Sequence, residues 1–138
     1  MNEPVWVNRI VLLHLHLASL AEFGGSSGIR DEGLLDSALA RPVNRWNYEP
    51  TADLPALAAS YGYGIAKNHP FVDGNKRAAF HSVIIFLALN ELEFYGEIAE
   101  CIQVMLSVAS DGLSEEQFAA WIRANCERRK PESIRRKK

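Results

Sequence analysis

One polar run, residues 69–77, constrains the fold of this chain more than any other: it reads His-Pro-Phe-Val-Asp-Gly-Asn-Lys-Arg. Pro70 disfavours helical geometry in the residue before it, so a helix that reaches this point should end near Asn68. Asp73-Gly74-Asn75 is turn chemistry, because glycine accepts a positive φ and because Asp and Asn bond their own backbone. The apolar sequence that follows predicts a buried helix that begins near Asn75.

The same run combines groups that suit chemistry on a phosphate. His69 supplies a base that exchanges protons near neutral pH, and Asp73 supplies a carboxylate. The predicted helix points its first N–H groups at the loop, which makes a ready anion site, and Lys76 and Arg77 add positive charge there. Cations in a first turn oppose the helix dipole, so a purely structural helix rarely has them. The residues alone leave two interpretations open: an ordinary turn, or a site for phosphoryl or nucleotidyl transfer.

Apolar spacing predicts an all-α fold. Helical periodicity covers residues 4–23, 31–42, 53–68, 75–90, 97–110 and a segment that Ser114 opens with a capping box, and no segment alternates as a strand does. Pro42 should end the second helix, because proline breaks a helix interior. The helix over 75–90 is apolar nearly all round, which predicts a central helix buried by the others. We therefore expect an orthogonal bundle of about six helices around that central helix.

The spacing also predicts which side chains face the core. They are Val7, Ile10, Val11, Leu13, Leu17 and Leu20 in the first helix, Ile98, Ile102, Met105 and Leu106 in the fifth, and Phe118, Trp121 and Ile122 in the last. His14 and His16 lie two positions apart, so on a helix they point to opposite sides and do not chelate one metal ion. One of them is expected on the surface and the other in the core or at its rim. His81 is expected to be a packed core histidine rather than a catalyst.

Length and charge limit the class of protein. At 138 residues with 48% hydrophobic content, the chain is large enough for one compact domain, which we place at residues 1–126. The longest apolar run is far below the ~20 residues of a membrane span, and no secretory leader is visible, so a cytoplasmic location without membrane contact is expected. An acidic body argues against direct nucleic-acid binding. Residues 127–138 are strongly basic and are expected to form a disordered tail.

The polar run resembles the signature of the Fic/Doc family, and specifically of its Doc (death-on-curing) branch. The general Fic pattern is His-x-Phe-x-Asp/Glu-Gly-Asn-Gly-Arg-x-x-Arg, and the matching positions are His69, Phe71, Asp73, Gly74, Asn75 and Arg77. Lys76 replaces the second glycine and Phe80 replaces the last arginine, as the Doc branch implies. Residues 28–42 also resemble the family, and the likeness covers roughly residues 10–125.

This resemblance implies the Fic fold and a role for each motif residue. His69 would be the general base that takes a proton from an acceptor hydroxyl. Asp73 would hold Mg²⁺ against the phosphates of ATP or orient the acceptor, and Phe71 would anchor the loop in the core. Residues 24–30 would form a glycine-rich flap over the site. The residues that would bind the nucleotide phosphates are Gly74, Asn75, Lys76 and Arg77.

The Doc branch further implies a toxin kinase that transfers the γ-phosphate of ATP to a threonine of elongation factor Tu and arrests translation. Lys76 places a long side chain where the Fic pattern has glycine, and Phe80 lacks the arginine contact to the terminal phosphates. Both changes are expected to alter the orientation of the bound nucleotide. AMP transfer stays open, because Gly74 keeps the Fic identity, and so does a non-catalytic antitoxin-binding module. No stretch fits the Ser/Thr-x-x-x-Glu-Gly/Asn helix of self-inhibited Fic proteins, so a separate Phd-like antitoxin is expected.

Overall fold

Six α-helices and one small sheet make up residues 2–130, the part of the chain that the computed structural model describes. The all-α prediction is confirmed. No helix in this range is long and apolar enough to cross a membrane. In chain order the elements are α1 (Arg9–Phe23), α2 (Glu32–Tyr48), α3 (Leu54–Asn68), α4 (Asn75–Leu89), β1 (Leu92–Phe94), α5 (Ile98–Ala109), α6 (Glu115–Ala124) and β2 (Cys126–Arg128).

Side-chain caps mark the beginning of four helices, α1, α2, α3 and α6. Asp53 accepts a hydrogen bond from the backbone of Ala56 at the start of α3, and proline occupies the first turn there. Ser114 and Gln117 form the predicted reciprocal capping box of α6. Asn8 caps α1, so this helix begins later than the residue-4 start that its periodicity predicted. Periodicity alone had no means of locating that cap.

The helices α3 and α4 form the centre of the bundle. α3 packs against α2, α4 and α6, while α4 also packs against α1. Small residues of α3 permit this close packing: a Cβ added to Gly62 would lie 2.8 Å from the Val83 side chain and 2.9 Å from that of Phe118. We predicted α4 as the fully buried helix, but α3 is buried over more of its length, since one side of α4 borders an open groove.

The second helix runs through Pro42 instead of ending there. Proline in a helix interior costs about 3 kcal/mol, and two kinds of contact offset that cost. Pro42 itself is buried in a helix that packs along α3. Further along the same helix, Arg45 forms an ion pair with Glu115 of α6, with 3.1 Å between nitrogen and oxygen. Tertiary contacts therefore override the local signal.

The sequence prediction missed both strands. β1 and β2 pair antiparallel, with Leu92 opposite Arg128 and Phe94 opposite Cys126. Strands of three residues are too short to show alternation. The expected disordered tail began at residue 127, but Glu127 and Arg128 belong to β2, so that boundary is wrong. The remainder of the predicted tail, residues 131–138, lies outside the described residues.

Two helices expose part of the faces that we predicted to be buried. In α1, Leu12 and Leu20 are buried, but Ile10, Val11 and Leu17 are exposed. In α5, Met105 is buried, whereas Ile98, Ile102 and Leu106 are exposed. Periodicity reports that a helix has an apolar face, but it does not report what covers that face. In α6 the prediction holds better: Phe118 and Ile122 are buried and Trp121 is half-buried.

Candidate active site

The motif loop, which we define as residues 69–75, joins α3 to α4 through two left-handed backbone positions. Gly74 has φ 75° and ψ 23°, a conformation that glycine adopts readily. His69 has φ 52° and ψ 52°, which for a residue with a side chain costs on the order of 1–3 kcal/mol. Surrounding contacts must therefore hold His69 in place, while its side chain stays exposed.

Asn75 supplies one of these contacts from inside the loop. Its Oδ1 accepts from the backbone N–H of Phe71 at 2.9 Å, and its Nδ2 donates to the Phe71 carbonyl at 2.9 Å. These two bonds fix the orientation of the amide, whose second N–H points at Nδ1 of His69 at 3.0 Å. The neutral imidazole therefore carries its proton on Nε2. We had assigned Asn75 to phosphate binding, but its buried side chain braces the loop and leaves only its backbone N–H for an anion.

Asp73 is exposed beside this loop with its carboxylate held by backbone donors. The N–H of Gly74 donates to Oδ1 at 2.8 Å, and the N–H of Ser26 donates to Oδ2 at 3.3 Å. These bonds, the one from Gly74 first, lower the pKa of Asp73, and the charge of Arg77 adds to the effect. The carboxylate is therefore ionised throughout the neutral range.

The first turn of α4 provides the positive side of the site. α4 has no side-chain cap, so its first N–H groups face the loop without an intrahelical partner. Lys76 is exposed, while Arg77 is half-buried and donates to the carbonyl of Gly24 at 3.1 Å. The Arg77 guanidinium also lies over the Phe23 ring, 5.4 Å from its centroid. The helix dipole and the side-chain charges therefore both favour an anion in front of the N-terminus of α4.

Residues 24–30, the flap, pair with the motif loop along their length. Gly28 accepts from the N–H of Val72 at 3.0 Å, and the N–H of Arg30 donates to the Pro70 carbonyl at 2.7 Å. Gly25 permits the close approach, since a Cβ there would lie 2.9 Å from Oδ2 of Asp73. The flap therefore lies against the motif loop, as the family resemblance implied.

The two histidines of α1 divide as predicted into one on the surface, His14, and one in the core, His16, which lies behind the motif loop. His16 of α1 is only 3% exposed, and its ring stacks on Phe71 with 4.0 Å between centroids. Burial lowers the pKa of His16, and the charge of Arg77 lowers it further. Burial and then Arg77 also lower the pKa of His81, which is half-buried. The i, i+4 spacing of Leu12, His16 and Leu20 is the signal that assigns the core position to His16 rather than to His14.

Asp73 is the candidate metal ligand of the site. Within residues 2–130, no group of three or more His, Cys, Asp or Glu side chains could hold an ion by itself. Mg²⁺ does not need such a group, because it keeps several waters and binds through one or two carboxylates plus substrate phosphates. An exposed, ionised Asp73 beside an anion site fits that requirement.

A groove of about 370 Å³, the α4–α5 groove, opens next to the cations of the site. Lys76 and Arg77 lie at one end, and Gly96 and Phe94 contribute to its edge. Its lining is otherwise apolar, apart from His81 and Cys101. The remaining lining residues are Phe80 and Ile84 of α4 and Ile98, Ile102, Met105 and Leu106 of α5.

Comparison with known proteins places the same region in a known group. Residues 6–87 match the family model described as Fic/DOC family. The chain is 30% identical over 112 residues to Protein kinase doc of Escherichia phage P1, which covers 81% of this chain and 88% of that protein. It is also 40% identical over 72 residues to Toxin Doc of Mycolicibacterium smegmatis, covering 51% of this chain and 55% of that protein. The family match contains the flap and the whole motif loop.

Proposed function

The chain belongs to the Fic/DOC family, and on that premise we propose that it is a Doc-type toxin kinase. It transfers the γ-phosphate of ATP to a threonine hydroxyl of a target protein, elongation factor Tu, and so arrests translation. The observation that carries this proposal is that a base, a carboxylate and an anion site lie next to one another on one loop. An exposed imidazole and an ionised carboxylate directly precede the uncapped N-terminus of α4, which has two cations in its first turn.

The phosphates of ATP bind at this helix end. Backbone N–H groups from Gly74 onward face the loop, and Lys76 and Arg77 neutralise phosphate charge. Asp73 and the phosphate oxygens hold Mg²⁺, which when bound supplies further charge neutralisation during the transfer. Phosphoryl transfer depends mainly on such positioning and charge stabilisation, so few further groups are needed.

His69 is the general base in this proposal. The threonine O–H bond breaks and His69 takes the proton, while the threonine oxygen bonds to the γ-phosphorus and the bond to the ADP oxygen breaks. Proton acceptance at Nε2 requires the ring proton on Nδ1, whereas Asn75 favours the opposite tautomer. Substrate binding therefore has to turn the ring away from Asn75, and the exposure of His69 leaves room for that turn.

Two positions support γ-phosphate transfer over transfer of AMP. Lys76 extends an exposed cation from the turn in which the Fic pattern has glycine. Phe80, in place of the last arginine of that pattern, lines the α4–α5 groove and packs edge-on against Phe94 with 5.6 Å between centroids. The cation that the Fic pattern places there is absent, which supports a different orientation of the triphosphate.

We propose that a Phd-like antitoxin silences the enzyme through the α4–α5 groove. The groove starts at the site cations, so a segment bound there would lie beside the nucleotide phosphates. Ile98, Ile102 and Leu106 expose apolar surface on one face of α5 at the spacing that a bound helix can cover. A toxin also needs such control, because its activity arrests growth.

The test is transfer of label to purified elongation factor Tu from ATP labelled at either the α- or the γ-phosphate. We expect label from the γ-position only, lost in His69→Ala and retained in the control His14→Ala, another exposed histidine. Label from the α-position would overturn the kinase assignment in favour of AMP transfer. Transfer that persists in His69→Ala would remove His69 from the mechanism. Absence of transfer with tight antitoxin binding would favour a non-catalytic binding module.

A further inference from the structure

Arg30, a flap residue outside the family motif, reaches across to the C-terminus of α3. Its Nε donates to the carbonyl of His69 at 2.8 Å, and its Nη2 donates to the carbonyl of Asn68 at 2.9 Å. The backbone N–H groups of Arg30 and Asp31 both donate to the Pro70 carbonyl, at 2.7 and 3.1 Å. Four hydrogen bonds from one short segment thus hold the three residues that end α3 and begin the motif loop.

These bonds fall where α3 most needs them. The last carbonyls of a helix lack intrahelical partners, and a positive side chain near them also interacts favourably with the helix dipole. Helices that end in a left-handed residue usually have glycine there, because a Cβ is unfavourable in that conformation. α3 has His69 at that position, with φ 52°. An external brace is therefore required to keep the histidine backbone in this shape.

The planar fork of Arg30 suits this task because it reaches two adjacent carbonyls at once. The imidazole of His69 has a separate brace, the amide of Asn75 at 3.0 Å from Nδ1. The backbone of the histidine is thus held from the flap, and its ring is held from α4. The two braces come from different segments, the flap and Asn75 at the start of α4.

We propose that Arg30 is a positioning residue for His69: it fixes the left-handed backbone from which the imidazole reaches the acceptor hydroxyl. This inference rests on the proposed function, in which His69 takes the proton. Arg30 does not contact the nucleotide in this assignment, so its removal should slow the chemical step and leave nucleotide binding intact. The side chain is exposed, so water can solvate the two carbonyls when it is removed, and the fold should survive.

Kinetics of γ-label transfer provide the first test, with Arg30→Ala, Arg30→Lys and the control Arg9→Ala. Arg9 also donates to two oxygens, those of Glu32 and Asp36, but neither of these residues belongs to the motif loop. We expect Arg30→Ala to lower kcat on the order of 10²-fold with the KM for ATP unchanged, because small misplacements of a catalytic group have effects of this size. Arg30→Lys should recover little, since an ammonium is a single point charge, whereas added guanidinium ion should restore part of the rate to Arg30→Ala.

A second measurement does not depend on turnover. Imidazole ¹H–¹⁵N spectra of the free protein should show the His69 signals shifted or broadened in Arg30→Ala, with those of His14 unchanged. If the wild-type protein transfers no label at all, the proposed function fails, and these spectra still decide whether Arg30 orders His69. Unchanged His69 signals would overturn the inference. A change in KM with kcat unchanged would also overturn it, and so would an equal loss of kcat in Arg9→Ala.

Discussion

The motif loop and the α4–α5 groove lie on either side of Lys76 and Arg77, which follow the loop in the chain and line the groove, yet they are built in opposite ways. In the loop, the chain itself supplies the hydrogen-bond partners: backbone groups are paired by Asn75, by Asp73 and by the flap. In the groove, Ile98, Ile102 and Leu106 present apolar surface to solvent. The motif loop is thus a part that internal hydrogen bonds hold in place, whereas the groove has apolar surface that is available to another molecule.

The largest effect is expected when the loop loses its internal brace. Asn75→Ala should lower the free energy of unfolding by about 4 kcal/mol, because two buried backbone groups of Phe71 lose their partners at about 1–3 kcal/mol each. Urea unfolding measures the change. Asn90→Ala is a control at the other end of α4, where the amide bonds an N–H and a carbonyl of Val5 through exposed hydrogen bonds and also donates to the part-buried carbonyl of Phe86. Equal losses in the two variants would contradict the view that the loop is internally fixed.

Two adjacent residues of α5 both line the groove but differ in how far they are buried. Met105 is 4% exposed and Leu106 is 45% exposed. Met105→Ala should therefore cost about 3 kcal/mol, within the usual range for a buried large-to-small change. Leu106→Ala should cost about 1 kcal/mol or less, because nearly half of its surface stays in water in the folded protein. Similar midpoint shifts in thermal unfolding would show that the groove surface is buried in the free protein.

Acid should weaken the region behind the loop. His16 and His81 have pKa values lowered by burial, so the unfolded chain binds protons as the pH falls below about 6.5 while the folded protein does not. The free energy of unfolding should therefore decrease with falling pH from that point until the lowered pKa values are reached. His16→Leu should flatten this dependence, since it removes the more buried of the two rings. Unfolding curves at a series of pH values measure how the free energy of unfolding depends on pH. The same dependence in His16→Leu would show that His16 does not cause it.

An ion pair distant from both regions should have the smallest effect. Asp53 and Arg123 are joined at 2.7 Å with both side chains about half exposed. The hydrogen bond from Arg123 lowers the pKa of Asp53, but exposed pairs contribute only about 0.2–1 kcal/mol. Asp53→Asn retains the helix cap and removes the charge, so its unfolding midpoint should change little. A loss as large as that of Met105→Ala would show that this pair is part of the core.

Local chemistry made much of the fold predictable. The cap at Asp53, the proline at residue 70 and the capping box at Ser114 gave the limits of α3 and the start of α6. The turn at Gly74 gave the start of α4. Each of these signals acts over a few residues, so it is readable without knowledge of the rest of the chain. The candidate site could be proposed for the same reason, since its groups fall within one short run, and their roles stay a prediction.

What the sequence did not reveal depends on contacts between distant residues. Arg30 bonds the carbonyl of Asn68 from 38 positions away, and His16 stacks on Phe71 from another helix. The continuation of α2 through Pro42 depends on its packing along α3. The exposed side chains of α5 have the same periodicity as buried ones, so no local pattern distinguishes them.

The pairing of β1 with β2 has a consequence for biosynthesis. During translation the flap, α3 and α4 leave the ribosome before α5, so every residue of the motif loop is available while one wall of the groove is still unmade. β1 is synthesised before α5 and α6, and its partner β2 is synthesised after them. The sheet that joins the two ends of the α5–α6 segment therefore forms only when β2 has been made. A nascent chain therefore contains the residues of the proposed active site before it has the surface through which we propose it is restrained. An antitoxin that binds the groove would find its binding surface only after α5 has been synthesised.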